Sequence, residues 1–305
     1  MSICCARLPR AGLGNKLFVW ARAAVFAEIN HLPLFVSGFN KIRVGPILRR
    51  EMGRFYLGQF QNLNTATRID LLRAKLAYDV IREPSITSID NSENRLFVFD
   101  RIPHWKDYFA DLRDHRDFIR GELRRIVAPE ILDDVGESAA PLVSIHVRHG
   151  DFRGLESGED FSRVGLVRTP MEYFIKAIRD IREMSGKELP ITVFSDGRDE
   201  DLGGLLNLPN VKRHPPGPAI ADLLLMSRSR VLLPSAGSTF GYWAGFLSDA
   251  AILLHPEHIH ASIRPSNVNK QFFEGPMPKS QGDYPGLLRF NLGAITEQQS
   301  VQPRA

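Results

Sequence analysis

Short apolar runs alternate with segments of helical periodicity along most of the chain. An apolar run at residues 3–8 is followed by a glycine-rich turn at 9–15 and by apolar residues at helical spacing over 16–29. A second apolar run follows at 32–37. A strand, a helix and a second strand in this order predict a βαβ unit, and therefore a parallel sheet.

The second half of the chain repeats this alternation, whereas the middle is less regular. In the middle, the pattern predicts helices at 46–55 and 71–81, a strand at 95–99 and a long amphipathic helix at 105–127. Farther on it predicts strands at 142–147, 191–194, 231–233 and 251–254, and helices at 170–185, 199–206, 221–228 and 238–247. This half is therefore expected to be doubly wound around a parallel sheet.

A polar stretch at 129–140, which contains Pro, Gly and two adjacent Asp residues, is interpreted as a connection between two domains. The length of 305 residues also suggests two domains. We therefore expect an N-terminal domain at 1–135, a C-terminal domain at 136–290 and a polar tail at 291–305.

Composition and charge exclude several classes of protein. The 39 Lys and Arg residues barely exceed the 35 Asp and Glu residues and are interspersed with them, which disfavours nucleic-acid binding. The two cysteines, Cys4 and Cys5, are adjacent and could pair only with strain, which favours a reducing compartment. The apolar runs are too short for a signal peptide or a membrane span. We expect a cytoplasmic protein, at most peripheral to a membrane.

Polar residues follow three of the predicted strands in the second half. Arg148 and Asp151 come after the first strand, Asp196 after the second, and Ser238 and Thr239 after the third. In open α/β sheets, ligands bind at the carboxyl ends of the strands. These segments are therefore the candidate site.

Arg148 is a candidate phosphate ligand, because a guanidinium matches phosphate with a rigid two-pronged fork. His146 and His149 flank it, and their charge can change near neutral pH. Two alternatives stay open at this point. Arg148 could form a structural ion pair with an aspartate, and His146 could be a core histidine that fixes the loop.

The segment 236–239 joins a predicted strand to a predicted helix. A helix start presents free N–H groups, Gly237 permits close approach, and two hydroxyls add donors, which together describe a phosphate cradle. The alternative is an ordinary Ser or Thr N-cap.

The sequence contains one acidic cluster and one histidine cluster, and neither predicts a metal site. Asp199, Glu200 and Asp201 open a predicted helix, where acidic residues are favoured by the helix dipole. His255, His258 and His260 match no common zinc spacing. We expect no metal and no cofactor.

Several segments resemble the GDP-fucose-dependent fucosyltransferases, most closely the bacterial and animal α-1,2-fucosyltransferases. The matching segments are residues 12–18 (GLGNKLF), 143–152 (VSIHVRHGDF), 194–196 (FSD), 222–227 (DLLLMS) and 237–243 (GSTFGYW). The sequence departs from the family pattern at His149, where a second Arg is usual, at Lys16, which replaces Gln, and at Gly241 and Tyr242. Residues 40–140 show no match.

The resemblance implies a glycosyltransferase of the GT-B type with two Rossmann-like domains, in which the C-terminal domain holds GDP-fucose. It implies that Arg148 binds the β-phosphate and that Asp222 binds guanine. The further residues implied to bind GDP-fucose are Gly14 and Asn15 from the other domain, and His146, Asp196, Ser238 and Thr239.

The resemblance also implies an inverting, metal-independent transfer of L-fucose to a galactoside hydroxyl. Asp151 and Glu156 are the candidate catalytic bases beside Arg148, and the alternative for both is a solvated loop acid. Two other functions stay open: the same fold with another nucleotide sugar or another fucosyl linkage, and a non-catalytic protein that binds a sugar nucleotide.

Overall fold

Both halves of the chain build a parallel β-sheet with helices, as the alternating pattern predicts. The structure is a computed structural model that describes residues 1–39, 56–62, 64–90, 92–258, 262–265, 273–277 and 288. The chain divides into two units, Met1–Gly136 with Pro218–Ala221 and Glu137–Gly217 with Asp222–Ala305.

The elements of the first unit are β1 (Ile3–Arg7), α1 (Leu13–Ile29), β2 (Leu34–Ser37), α2 (Arg68–Ala77), β3 (Asp79–Arg82), β4 (Arg95–Phe99), α3 (Arg116–Ile126) and α4 (Pro129–Glu137). The four strands form one sheet with the order β2-β1-β4-β3. Successive side chains of a strand point to opposite faces of the sheet. Cys4 accordingly packs with residues of α1, and Cys5 packs with residues of α2. Both cysteines are buried free thiols.

The elements of the second unit are β5 (Val143–Val147), α5 (Met171–Ser185), β6 (Ile191–Ser195), α6 (Gly203–Leu206), β7 (Val211–Arg213), β8 (Val231–Pro234), α8 (Thr239–Leu247), β9 (Ala251–Leu253) and β10 (Glu274–Gly275). Helix α7 (Ala219–Met226) has its first three residues in the first unit and the rest in the second. The six strands form one sheet with the order β10-β9-β8-β5-β6-β7. Every residue of β5 is buried, and the strand pairs in parallel with β6 on one side and β8 on the other. The polar segment after β5 therefore leaves from the middle of the sheet.

Two of the helices predicted for the middle of the chain are wrong in part. The helix predicted at 71–81 is α2, which begins three residues earlier because Thr67 and Asp70 form a capping box. It ends at Ala77, and residues 79–82 form β3 in parallel with β4. Of the helix predicted at 105–127, only the second half forms an α-helix, α3. Two short 3₁₀ turns, Trp105–Asp107 and Arg113–His115, precede it.

The reason for the second error is aromatic packing. The rings of Tyr108 and Phe109 both contact the ring of Phe18, at centroid distances of 4.9 and 4.8 Å. Consecutive residues point about 100° apart on an ideal helix, so a continuous helix does not place both rings on one partner. The tertiary contact therefore overrides the helical pattern.

The stretch at 129–140 was predicted as a polar connection without a helix, and this part of the prediction is wrong, because residues 129–137 form α4. Pro129 occupies the first helical position, where its missing N–H has no cost. Ile131 and Val135, four residues apart, are the buried face of this helix. The predicted helix at 46–55 and the tail at 291–305 lie outside the described residues. Among the helices within the described residues, none is both long and apolar enough to cross a membrane.

Candidate functional site

The carboxyl ends of four parallel strands lie side by side at one edge of the six-stranded sheet. The strands are β8, β5, β6 and β7 in spatial order. The first polar side chains beyond their ends are Ser235, Arg148, Asp196 and His214. We call this edge the rim.

Ser235 joins the ends of β5 and β8. Its hydroxyl accepts a hydrogen bond from the backbone N–H of Arg148 at 2.8 Å and donates one to the carbonyl oxygen of His146 at 2.8 Å. Ser235 is fully buried, so these bonds are shielded from water. The backbone of Arg148 is therefore fixed at the point where the chain leaves the sheet.

The guanidinium of Arg148 lies between two carboxylates. Its Nη1 donates to Oδ2 of Asp196 and its Nη2 donates to Oδ1 of Asp151. The structural ion pair that the sequence left open is thus present. A guanidinium carries five N–H donors, so these two bonds leave others for a phosphate.

Asp196 organises the loop that follows β5. While Oδ2 of its carboxylate binds Arg148, Oδ1 accepts the backbone N–H of His149 at 2.8 Å. Gly150 closes the same turn with a φ of 20°, and a Cβ at this position would overlap Oδ2 of Asp196. Asp196 was predicted as a substrate ligand, but in the structure its carboxylate accepts hydrogen bonds from Arg148 and His149 of the protein.

Both histidines of this segment are buried, and burial lowers both pKa values. The pKa of His146 falls to about 4, mainly because burial disfavours its charged form. The pKa of His149 is lowered first by burial and then by Arg168, against the opposing effect of Asp201 and Asp196. Both rings are therefore mainly neutral at neutral pH, and they add little positive charge beside Arg148.

The ring of His146 packs closely against residues at the start of α8. Its ring centroid is 5.2 Å from that of Phe240. A Cβ on Gly241 would lie 3.0 Å from Nδ1 of His146 and 2.8 Å from Cβ of Pro234. The glycine that departs from the family pattern thus allows α8 to approach β5 and β8 closely.

The start of α8 leaves backbone N–H groups without helical partners. Ser238 is the N-cap residue, but its hydroxyl makes no capping bond, so the simple N-cap alternative is not realised. The first intrahelical bond runs from the N–H of Tyr242 to the carbonyl of Ser238, at 3.1 Å. The N–H groups of residues 239–241 precede it and can bind an anion.

The backbone just before this helix is held by other side chains. Gly237 has a φ of 70° and donates its N–H to the hydroxyl of Tyr242 at 2.8 Å. The N–H of Ala236 donates to Oγ1 of Thr169 at 2.9 Å. Thr169 and Tyr242 therefore fix the turn, and the sequence alone gave no signal for Thr169.

Asp222 lies on α7, and one of its carboxylate oxygens is buried. Its Oδ1 has no hydrogen-bond partner, and burial raises the pKa of Asp222 to about 7. Nε2 of His214 lies 3.5 Å from this oxygen, and burial lowers the pKa of His214. His214 was not among the residues predicted for the site, because β7, the strand that it follows, was not predicted.

The two candidate bases differ in their surroundings. Asp151 is tied to Arg148, and its side chain is 56% exposed. Glu156 lies in an exposed loop, 3.7 Å from Nη1 of Arg153 and with its side chain 76% exposed. The structure therefore brings Asp151 to Arg148 but places Glu156 beside Arg153.

Gly14 and Asn15 lie in the first unit, in the first turn of α1. Oδ1 of Asn15 is buried without a hydrogen-bond partner. Lys16, the next residue, donates from Nζ to the carbonyl of Gly38 at 2.6 Å. This lysine therefore stabilises the unit from inside.

The first unit also contains a cavity of about 850 Å³. Its aromatic lining residues are Trp20, Phe35 and Phe39, and its amide lining residues are Gln61, Asn62 and Asn64. Arg68, Lys75, Glu122 and Arg125 add charged groups. This mixture suits a polar ligand with apolar faces.

Among the described residues, no group of three or more His, Cys, Asp or Glu side chains could hold a metal ion. Asp199 pairs with Arg213, and the carboxylate of Asp201 accepts the N–H of Arg198 at 3.2 Å. His255 and His258 both pack edge-on against the ring of Phe161. His260 lies outside the described residues.

Comparison with solved structures shows the fold. No protein-family model and no curated protein sequence matches the chain. The fucosyltransferase NodZ from Bradyrhizobium is similar with a TM-score of 0.52 and 16% identity, over 85% of this chain and 98% of that one. NodZ α-1,6-fucosyltransferase soaked with GDP-fucose is similar with a TM-score of 0.50 and 16% identity, over 83% and 95%. The predicted fold class, an α/β fold of the GT-B type, is confirmed.

The packing of Gly150 against Asp196 gives a first prediction. Gly150→Ala should disrupt the bond between Arg148 and Asp196, because its Cβ would overlap the carboxylate. We expect a loss of stability of about 1–3 kcal/mol, from backbone strain and a broken ion pair. Thermal unfolding measures this loss.

Gly154→Ala is the matched control, because a Cβ at that position meets no atom within 4 Å. Equal unfolding midpoints for the two variants would contradict the packing of Gly150 described above.

Proposed function

We propose that this protein is an inverting fucosyltransferase that transfers L-fucose from GDP-fucose to a hydroxyl of a galactoside. The observation that carries the proposal is the rim, where the guanidinium of Arg148 and the open helix start at Ser238 follow the neighbouring strands β5 and β8, and where the buried carboxylate of Asp222 lies beside His214 at the end of β7. The fold, shared with structures of fucosyltransferases, supports it. The α-1,2 linkage is proposed from the motif at residues 143–152.

Asp222 is proposed to bind the guanine base. The N1–H and N2–H groups of guanine are two adjacent donors, and an ionised carboxylate accepts both. A buried acceptor without a partner costs about 1–3 kcal/mol, which such a ligand would recover. Uracil and adenine do not offer this pair of donors, so Asp222 would select GDP-sugars.

Arg148 and the start of α8 are proposed to bind the diphosphate. Negative charge grows on the leaving β-phosphate as the anomeric carbon becomes oxocarbenium-like. Preorganised donors aimed at that charge stabilise the transition state by a few kcal/mol each. Ser238 and Thr239 would add hydroxyl donors, and His146 would shape the pocket. In this scheme Asp196 keeps Arg148 in place. The bond between Arg148 and the more exposed Asp151 breaks, and the guanidinium binds the phosphate instead.

The acceptor hydroxyl attacks from the face opposite the diphosphate, so a β-linked donor gives an α-linked product. Asp151 and Glu156 are the proposed bases for the hydroxyl proton. The cavity of the first unit, with its aromatic and amide lining, is proposed to bind the galactoside, and Gly14 and Asn15 are proposed to contact GDP-fucose. No metal is required in this scheme, because a guanidinium and a helix start can replace a cation at the diphosphate.

A donor screen tests the activity. GDP-fucose, GDP-mannose and UDP-sugars are offered with lactose, in excess chelator and in added Mn²⁺, and the products are identified by mass. We expect fucosyl-lactose from GDP-fucose alone, at similar rates in chelator and in Mn²⁺. Transfer from GDP-mannose instead would mean another donor sugar, and nucleotide binding without any product would mean a non-catalytic protein.

Asp222→Ala tests the base-binding role. The variant should lose about 1–3 kcal/mol of GDP affinity, because guanine then lacks its buried acceptor. Calorimetry with GDP measures the loss, and UDP serves as the control ligand. An unchanged GDP dissociation constant would remove Asp222 from the site.

Arg148→Lys tests the phosphate-binding role. Lysine keeps the charge but loses the two-pronged geometry, so turnover should fall strongly even though GDP still binds. Steady-state kinetics of Arg148→Lys, Arg148→Ala and His149→Ala separate kcat from KM. If Arg148→Lys turns over at the native rate, or if His149→Ala is the more damaging alanine variant, another residue stabilises the leaving group.

A further inference from the structure

One side of helix α2 presents large apolar side chains to solvent. Ile69, Leu72 and Leu76 are 62%, 58% and 81% exposed. They lie at positions i, i+3 and i+7, so they fall within about 60° of one another around the helix. Leu71 and Ala74, which pack with strand residues of the first unit, lie on the opposite side. Helix α2 therefore has a second apolar face, which we call the apolar stripe (Ile69, Leu72 and Leu76).

Helix α3 of the same unit lacks such a stripe. Its buried apolar residues are Ile119, Leu123 and Ile126, and none of its large apolar residues is exposed. This is the ordinary pattern, because a helix that packs on a core by one face exposes polar residues on the other. A contiguous group of exposed apolar side chains marks an interaction site. The apolar stripe therefore points to a partner outside the core of the first unit.

Three exposed cations border the apolar stripe. Arg73 lies along one side of it, and Arg68 and Lys75 lie along the other. Within the part of the chain that the structure describes, none of the three has an ion-pair partner. The carboxylate of Asp70 accepts hydrogen bonds from the backbone N–H and the hydroxyl of Thr67 at the start of the helix. We call Arg68, Arg73 and Lys75 the flanking cations, and they make the surface around the stripe positively charged.

This combination fits an anionic lipid surface better than a protein. A stable protein interface buries about 800 Å² on each partner, whereas α2 has ten residues and is only about 15 Å long. A second copy docked on the stripe by two-fold symmetry would bring the flanking cations of the two helices together, and like charges repel. Anionic headgroups attract these cations instead, while apolar side chains of the same helix enter the boundary with the acyl chains.

We propose that α2 docks this protein on an anionic lipid surface. The apolar stripe enters the boundary between headgroups and acyl chains, and the flanking cations bind the headgroup phosphates. Their long side chains reach the headgroups while the stripe is immersed. Arg68, Leu72 and Lys75 also line the cavity of the first unit, so docking holds that cavity at the lipid surface. Docking at α2 does not require the proposed transfer reaction.

Co-sedimentation of the full chain with extruded vesicles tests the docking. One set of vesicles contains phosphatidylcholine alone, and the other contains phosphatidylcholine and phosphatidylglycerol in equal amounts. We expect binding to the anionic vesicles to be at least about tenfold tighter than binding to the neutral ones, because each cation near the surface adds attraction. Added salt should weaken it, since the flanking cations are exposed.

Substitutions on α2 separate the two parts of the surface. Leu76→Gln should weaken binding to the anionic vesicles by about tenfold, because a leucine side chain no longer leaves water. Arg73→Gln should weaken it by about fivefold, for the loss of one charge. Glutamine is a good helix former, and neither residue is among those that line the cavity. Leu166→Gln and Arg179→Gln, at exposed positions of the second unit, are the matched controls and should bind like the unchanged chain.

Several results would overturn the proposal. No binding to the anionic vesicles, or equal binding to both kinds of vesicle, would mean that α2 is not a docking helix for anionic lipid. If Leu76→Gln sedimented like the unchanged chain, the apolar stripe would have no part in binding. Analytical ultracentrifugation without lipid completes the test. A dimer that Leu76→Gln converts to a monomer would assign the stripe to an interface between copies instead.

Discussion

The bridge made by Asp196 between two strand ends is the interaction on which the rim depends. One of its oxygens binds the side chain of Arg148 and the other binds the backbone of the next residue. Parallel pairing of β5 with β6 brings the two strand ends together, and the carboxylate then sets the path of the loop. The position of the guanidinium is thus determined by the sheet, and Gly150 supplies the space in which the bridge closes.

The second unit could be predicted largely from the sequence, since its strands are buried apolar runs that end in polar segments. The elements that were missed are short or lie near a sheet edge. β7 has three residues, of which only Val211 is buried, and β3 is mostly exposed. Such segments carry no apolar pattern, and they become strands because a neighbour offers unpaired backbone groups. His214 was missed for the same reason, since its place on the rim follows from β7.

The candidate site was predicted in part. Arg148 and the start of α8 could be identified from the sequence, because each follows or begins an element whose position the pattern gives. Asp222 was identified only through the family resemblance. The sequence could not show that Arg148 lies between two carboxylates, or that Ser235 joins β5 to β8, because those contacts depend on strand order. The histidines next to Arg148 suggested a pH-dependent charge, and only their burial shows that they are neutral.

This distribution of charge has a consequence for diphosphate binding. With both flanking histidines neutral, the guanidinium of Arg148 faces the two carboxylates of Asp151 and Asp196, so these three side chains together carry a net negative charge. They repel an anionic ligand unless one carboxylate moves away or other donors compensate. Asp196 is bound through both of its oxygens, whereas the Asp151 side chain is more than half exposed. Replacing Asp151 by a phosphate oxygen as the partner of Arg148 therefore costs less than replacing Asp196. The N–H groups at the start of α8 would supply the remaining positive potential.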